Sequence, residues 1–244
     1  MRSARHETSA SNTSLQDGAE LRIIELYESL QGEGPFCCRR SVFLRLAGCN
    51  LRCPFCDTPQ ALSMEEGEPV KAEELVERVR ESSREAGMLV VTGGEPLIQR
   101  AALNRFIELL WSRSPYMDVQ VETNGTLPAP SLGEILFEAF FVVSPKNLPV
   151  SVQGARLHDS WLRFAKLTRR AWFKFLVRGE SDVGLVERWV EQQEVPRELV
   201  YLMPLTLRGW GVDRLLEVHR RVARLAVDKG FNFSPRMHLL LELP

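Results

Sequence analysis

The stretch "SVFLRLAGCNLRCPFCDT", residues 41–58, opens as a strand and closes on three cysteines. Arg45 alternates with Val42, Leu44 and Leu46, so the strand buries apolar side chains on one face and turns one cation to the other. Directly after it, Cys49, Cys53 and Cys56 stand at C-x3-C-x2-C spacing. Thiols crowded at the end of a strand suggest ligands on a loop, and the fold depends on what lies on either side.

Outward from this stretch the same order repeats. Strand candidates "MLVVT" (88–92), "DVQVE" (118–122), "FFVVS" (140–144), "WFKFLV" (172–177) and "LVYLM" (199–203) follow, and "RIIELY" (22–27) precedes the series. Apolar residues at helical spacing predict helices at 71–86, 99–112, 131–139, 157–168, 182–194 and 212–229. Ser131 and Glu134 have capping-box spacing, and Gly230 suits a helix C-terminus. Six βα units imply an α/β fold with a parallel sheet and right-handed crossovers, either open and doubly wound or curled toward a barrel. Six are too few for the full eight-stranded barrel.

At 244 residues the chain suits one domain, expected over 21–244, with the Ser- and Thr-rich residues 1–20 as a mobile extension. The balance of 31 basic and 32 acidic residues makes no large positive field, which argues against nucleic acid or an anionic membrane as partner. No apolar run reaches the ~18 residues of a membrane span and no secretory signal opens the chain, so the expected location is cytoplasmic. In a reducing compartment three clustered thiols suggest a metal or redox site; adjacent Cys37 and Cys38 read as structural or incidental.

Distinctive residues follow one strand after another: the cysteine loop, "GGEP" (93–96), "TNG" (123–125), "PK" (145–146) and "PLT" (204–206). The carboxyl ends of parallel strands open on one side, so these loops are expected to build one site. Structural zinc takes four Cys or His ligands, and the histidines, His6, His158, His219 and His238, are scattered. Three thiolates suit a [4Fe–4S] cluster with one iron left open.

With Phe55 before the last cysteine, the motif resembles that of radical S-adenosylmethionine (SAM) enzymes. The resemblance implies a TIM-like partial (β/α)6 barrel, SAM chelated by the open iron, and a 5′-deoxyadenosyl radical that abstracts hydrogen. "ESLQGEGPF" (28–36), "FLRLAGCNLRCPFCDT" (43–58), "TGGEP" (92–96), "VETNGT" (121–126), "VSPK" (143–146) and "SPRMH" (234–238) narrow it to 7-carboxy-7-deazaguanine synthases. That family converts 6-carboxy-5,6,7,8-tetrahydropterin to 7-carboxy-7-deazaguanine.

The resemblance assigns the cluster to Cys49, Cys53 and Cys56 and Mg²⁺ to Thr58, a hard oxygen donor beside Asp57. For SAM it implies Phe55, Gly94, Glu95, Ser144, Pro145, Lys146, Met203, Pro204, Leu205 and Thr206; many relatives carry Gln where Met203 stands. For the pterin it implies Leu30, Gln31, Gly32, Glu33, Arg45, Thr92, His238 and the terminal Pro244. The substrate carboxylate is the expected partner of Arg45, with an internal carboxylate as the ordinary alternative. The apolar end "LLLELP" is expected to dock on the body. A flavodoxin or ferredoxin as electron donor and a homodimer are further family expectations. Two other readings share the cysteine motif: an enzyme that activates a glycyl-radical partner, and a zinc-stabilised interaction module.

Overall fold

The computed structural model describes residues 19–83 and 86–244. The elements run β1 (Glu20–Leu30), β2 (Arg40–Leu46), β3 (Glu68–Lys71), α1 (Ala72–Ser83), β4 (Met88–Gly93), α2 (Arg100–Arg113) and β5 (Asp118–Thr123). They continue with β6 (Phe140–Val143), α3 (Ser160–Thr168), β7 (Ala171–Val177), α4 (Glu180–Gln193), β8 (Val200–Pro204), α5 (Val212–Lys229), β9 (Asn232–Phe233) and α6 (Met237–Leu241). One sheet has the order β3-β1-β2-β4-β5-β6-β7-β8-β9. From β2 to β9 every pairing is parallel, while β1 runs antiparallel to both β2 and β3. The six strands expected in series are therefore the parallel strands β2 and β4–β8.

Each inner strand divides its residues by the two-residue period of the pleat. Leu89 and Val91 of β4, Val119 and Val121 of β5, Phe141 and Val143 of β6, and Phe173 and Phe175 of β7 join the main core under the helices. Phe43, Met88 and Val90 form a separate small cluster with Tyr27 and Phe36. Above that cluster the same face carries Arg45, Thr92, Glu122 and Lys174, so the concave side is polar where strand ends meet the cavity.

Helix expectations hold at five of six places. The exception is 131–139, where a single 3-10 turn spans Ile135–Glu138. Glu134 does accept from the Ser131 N–H at 2.8 Å, half of a capping box. Pro128, Pro130 and a left-handed Gly133 at φ +97 leave too little uninterrupted chain for a helix. Gly230 ends α5 as expected, at φ +68. Short β3, with Pro69 on an edge strand, two-residue β9 and five-residue α6 lacked a periodic signal. Most of the expected extension lies outside the described residues, but its boundary shifts: Glu20 already pairs with Lys71, and Ala19 accepts from the Ala72 N–H.

Because β1 is antiparallel, its end at Leu30 lies beside Arg40, at the amino end of β2. The connection that follows crosses the floor of the barrel, with Phe36 packed edge-on to Trp172 and tilted on Phe140. The C-terminal segment meets this floor where strand pairing stops. Gly34 N–H donates to Ser234 Oγ at 2.8 Å, Met237 N–H to the Gly32 carbonyl at 3.0 Å, and Ser29 Oγ to the Pro244 carbonyl at 3.1 Å. Of "LLLELP" only Leu239 and Pro244 line the cavity, whereas Leu241 and Leu243 are exposed, so the expected docking holds in part.

Gly93, at φ +134, lies opposite Leu46 in the β2–β4 ladder, and a Cβ there would overlap the Leu46 carbonyl. Gly93→Ala is expected to lower the unfolding free energy by about 3 kcal/mol in urea titrations, because the obstructing atoms are backbone.

Candidate active site

A cavity of about 380 Å³ opens at the carboxyl ends of the parallel strands. Cys49, Cys53 and Cys56 line it, each partly buried. Their loop hangs from β2 at Gly48, whose φ of +89 starts the turn. Backbone contacts hold it: Gly48 N–H donates to the Ala61 carbonyl at 2.9 Å and Cys49 N–H to the Leu62 carbonyl at 3.1 Å. Across the ladder, Glu95 N–H donates to the Gly48 carbonyl at 2.8 Å. A Cβ on Gly94 would fill the space taken by the Gly48 and Ala61 carbonyls. The "GG" pair thus seats the cysteine loop on β4.

Glu95 differs from its sequence expectation. It is fully buried and absent from the cavity wall, and its carboxylate accepts from Thr123 Oγ1 at 2.8 Å, Asn124 N–H at 2.7 Å and Leu97 N–H at 3.1 Å. Burial raises its pKa. Through these bonds Glu95 ties "GGEP" to "TNG". Asn124 continues the tie, donating to Asn50 Oδ1 at 2.9 Å within the cysteine loop.

The other expected residues are mostly brought together. Leu30, Gln31, Gly32, Glu33, Arg45, Phe55, Thr58, Thr92, Gly94, Ser144, Lys146, Met203, Leu205, Thr206, His238 and Pro244 all line the cavity; Pro145 and Pro204 do not. Lys146 donates to Ser144 Oγ at 2.6 Å, and burial with the nearby charge of Lys174 lowers its pKa. Arg45 already has an internal anion: its Nε donates to Glu25 at 2.5 Å, with Tyr27 Oη at 3.0 Å and Thr58 Oγ1 at 3.4 Å.

Three charged residues that sequence reading passed over complete the wall: Glu122, Lys174 and Arg236. Lys174, buried in β7, bonds Glu33 and lies 3.8 Å from Glu122. Arg236 donates to Glu33 at 2.9 Å and also pairs with Asp57. Burial alone raises the Glu33 pKa, but the charges of Lys174 and Arg236 outweigh it and hold this carboxyl well below the usual range. Glu122 accepts from Gln31 Nε2 at 3.3 Å and Thr92 Oγ1 at 3.2 Å. Three carboxylates, Glu33, Asp57 and Glu122, thus share the cavity with four cations, Arg45, Lys146, Lys174 and Arg236. Two of the three residues passed over had a sequence signal: Lys174 is a lone cation between Phe173 and Phe175, and Gln120 and Glu122 alternate with Val119 and Val121. Arg236 had no periodic signal.

The donor set fits an iron–sulfur cluster. Three soft thiols on one short loop line the same cavity. Burial raises the pKa of Cys49 and Cys53, so deprotonation accompanies metal uptake. His158 and His219 are off this wall. Among the described residues no helix is long and apolar enough to cross a membrane.

A family profile described as "Radical SAM superfamily" matches residues 44–178, from the strand before the cysteines to the end of β7. The chain is therefore a radical SAM protein, and a cluster with SAM is the cofactor set that this class implies. The 7-carboxy-7-deazaguanine synthase of Hyperthermus butylicus is 53% identical over 243 residues, covering 100% of this chain and 99% of that protein. The Pyrobaculum aerophilum protein of the same name is 38% identical, over 90% of this chain and 94% of its own length. This chain belongs to the 7-carboxy-7-deazaguanine synthase family. Its fold is shared with QueE from Escherichia coli, at TM-score 0.66 and 20% identity, over 88% of this chain and 93% of that one.

Glu95→Ala strands three buried donors, and each unmet donor costs about 1–3 kcal/mol. The expected result is a loss of at least about 3 kcal/mol in urea unfolding of the protein before any ligand is added.

Proposed function

We infer that this chain is a 7-carboxy-7-deazaguanine synthase that converts 6-carboxy-5,6,7,8-tetrahydropterin to 7-carboxy-7-deazaguanine with loss of ammonia, a step toward queuosine and other 7-deazapurines. One observation carries the reading. A single cavity joins three cysteines to a floor of Gln31, Glu33 and Glu122, in a chain matched end to end by proteins of that name. When bound, the cluster and SAM supply one-electron reduction and hydrogen-atom abstraction.

The chain's own residues bind and orient. Cys49, Cys53 and Cys56 hold iron. Gly94, Ser144 and Lys146 face SAM, with Met203, Leu205 and Thr206 on the β8 side and Phe55 beside the last cysteine. Glu33, kept ionised by Lys174 and Arg236, and Glu122 accept from N–H groups of the aminopyrimidinone, while Gln31 offers both a donor and an acceptor. Leu30, Gly32, Thr92 and His238 complete that end, and Pro244 lies at its rim. Arg45, already paired with Glu25, presents its remaining donor face to the substrate carboxylate.

Mg²⁺ is assigned to Thr58. Its Oγ1 donates to Asp57 Oδ1 at 3.0 Å and lies 3.4 Å from an Arg45 nitrogen, so unaided it is a poor cation site. A substrate carboxylate there would add hard oxygen donors and offset Arg45, so metal and substrate would bind together. A flavodoxin or ferredoxin as electron source and a homodimer rest on family resemblance, and a cytoplasmic location on composition and hydropathy.

Anaerobically reconstituted protein given the carboxytetrahydropterin, SAM and dithionite is expected to form the deazaguanine product, scored by mass spectrometry. Formation of 5′-deoxyadenosine without it would leave the superfamily standing and refute the substrate. Separately, calorimetric Mg²⁺ titrations are expected to show at least about fivefold tighter binding with the pterin present. Equal affinities would refute the cooperative binding of metal and substrate.

A further inference from the structure

Arg236 is 7% exposed, and its main chain is pinned on two sides. Its N–H donates to His219 Nε2 at 3.0 Å, while His219 Nδ1 donates to the Leu215 carbonyl at 2.6 Å, which leaves Nε2 as the acceptor. Burial lowers the pKa of His219, consistent with a neutral ring. The Arg236 carbonyl accepts from the N–H groups of Leu239 and Leu240 and so anchors α6. α5 and α6 therefore set where this guanidinium stands.

From that anchor its three nitrogens reach three separate parts of the cavity. Nε donates to Glu33 on the floor at 2.9 Å, Nη1 to Thr206 Oγ1 on the loop after β8 at 2.6 Å, and Nη2 to Asp57, the residue after the last cysteine. A guanidinium is a rigid plane, so a shift demanded at one nitrogen is passed to the other two. Two independent arginine contacts could relax separately; one plane cannot.

We propose that Arg236 is a positioning residue that couples the pterin end of the cavity, through Glu33, to the SAM end, through Thr206, so that filling either end tightens binding at the other. The inference rests on the substrate reading above. A purely structural arginine would alter stability, or both affinities alike, and leave the ratio between them unchanged.

The test uses the reconstituted, unreduced holoenzyme, in which no turnover occurs. SAM affinity is measured by anaerobic calorimetry with and without saturating carboxytetrahydropterin, for the native protein, Arg236→Lys and Thr206→Val. Iron content and melting curves check that each variant is folded. In the native protein the pterin is expected to tighten SAM binding at least about fivefold. Lysine cannot span three acceptors in one plane, and valine deletes only the Thr206 hydroxyl, so both are expected to bring that factor to within about twofold of unity. Thr206→Val retains the whole ion network and serves if Arg236→Lys fails to fold. A full coupling factor in a folded variant, or none in the native protein, overturns the proposal. SAM binding with no pterin binding at all overturns the substrate reading, and the coupling with it.

Discussion

Two glycines without side chains decide where the cysteines stand. Gly93 and Gly94 let the end of β4 lie directly against the carbonyls of Leu46 and Gly48, and the Glu95 N–H then closes on the Gly48 carbonyl. At that separation no Cβ fits, so the contact is available only to glycine. The cysteine loop is thereby fastened to the strand beside it rather than left to swing from β2. Glu95 extends the fastening by one more strand, because its carboxylate collects donors from Thr123 and Asn124. Three successive strand ends become one rigid rim.

Below that rim the cavity is held by charge. A buried lysine or glutamate alone is costly, and Lys174 and Glu33 offset each other, with Glu122 and Arg236 adding opposite charge. Lys174 would be expensive in the aromatic strand "WFKFLV" without Glu33 and Glu122. Glu33 in turn comes from the floor, a consequence of β1 running antiparallel to its neighbour. The network therefore joins residues 33, 57, 122, 174 and 236, which no local pattern connects.

The parallel series, its outward helices, the cysteine loop and the loops after the strands were legible because alternation and position after a strand are local properties, while the pterin-end residues came from the family resemblance. The same locality explains the failures. "SLGEILFEA" has a capping-box spacing, but its surrounding prolines and Gly133 leave only a turn. Glu95 reads as a ligand by motif, whereas two of its three donors, Thr123 and Asn124, lie on a strand end far along the chain. For Arg45 the sequence left an external and an internal carboxylate open, and the bulged antiparallel pairing of β1 supplies the internal one, Glu25.

By itself the sequence determined the α/β alternation, the iron-binding loop at a strand's carboxyl end and the class of chemistry, since each is written in contiguous spacing. The tertiary structure alone decided which carboxylates face the cavity, which are consumed in holding it together, and that Arg236 joins its two ends. Those outcomes depend on the direction of β1 and on the return of the C-terminus to Gly32. Ion pairs between distant segments exist only once backbone packing has brought the partners within a few ångströms, and no residue carries that information in its neighbours.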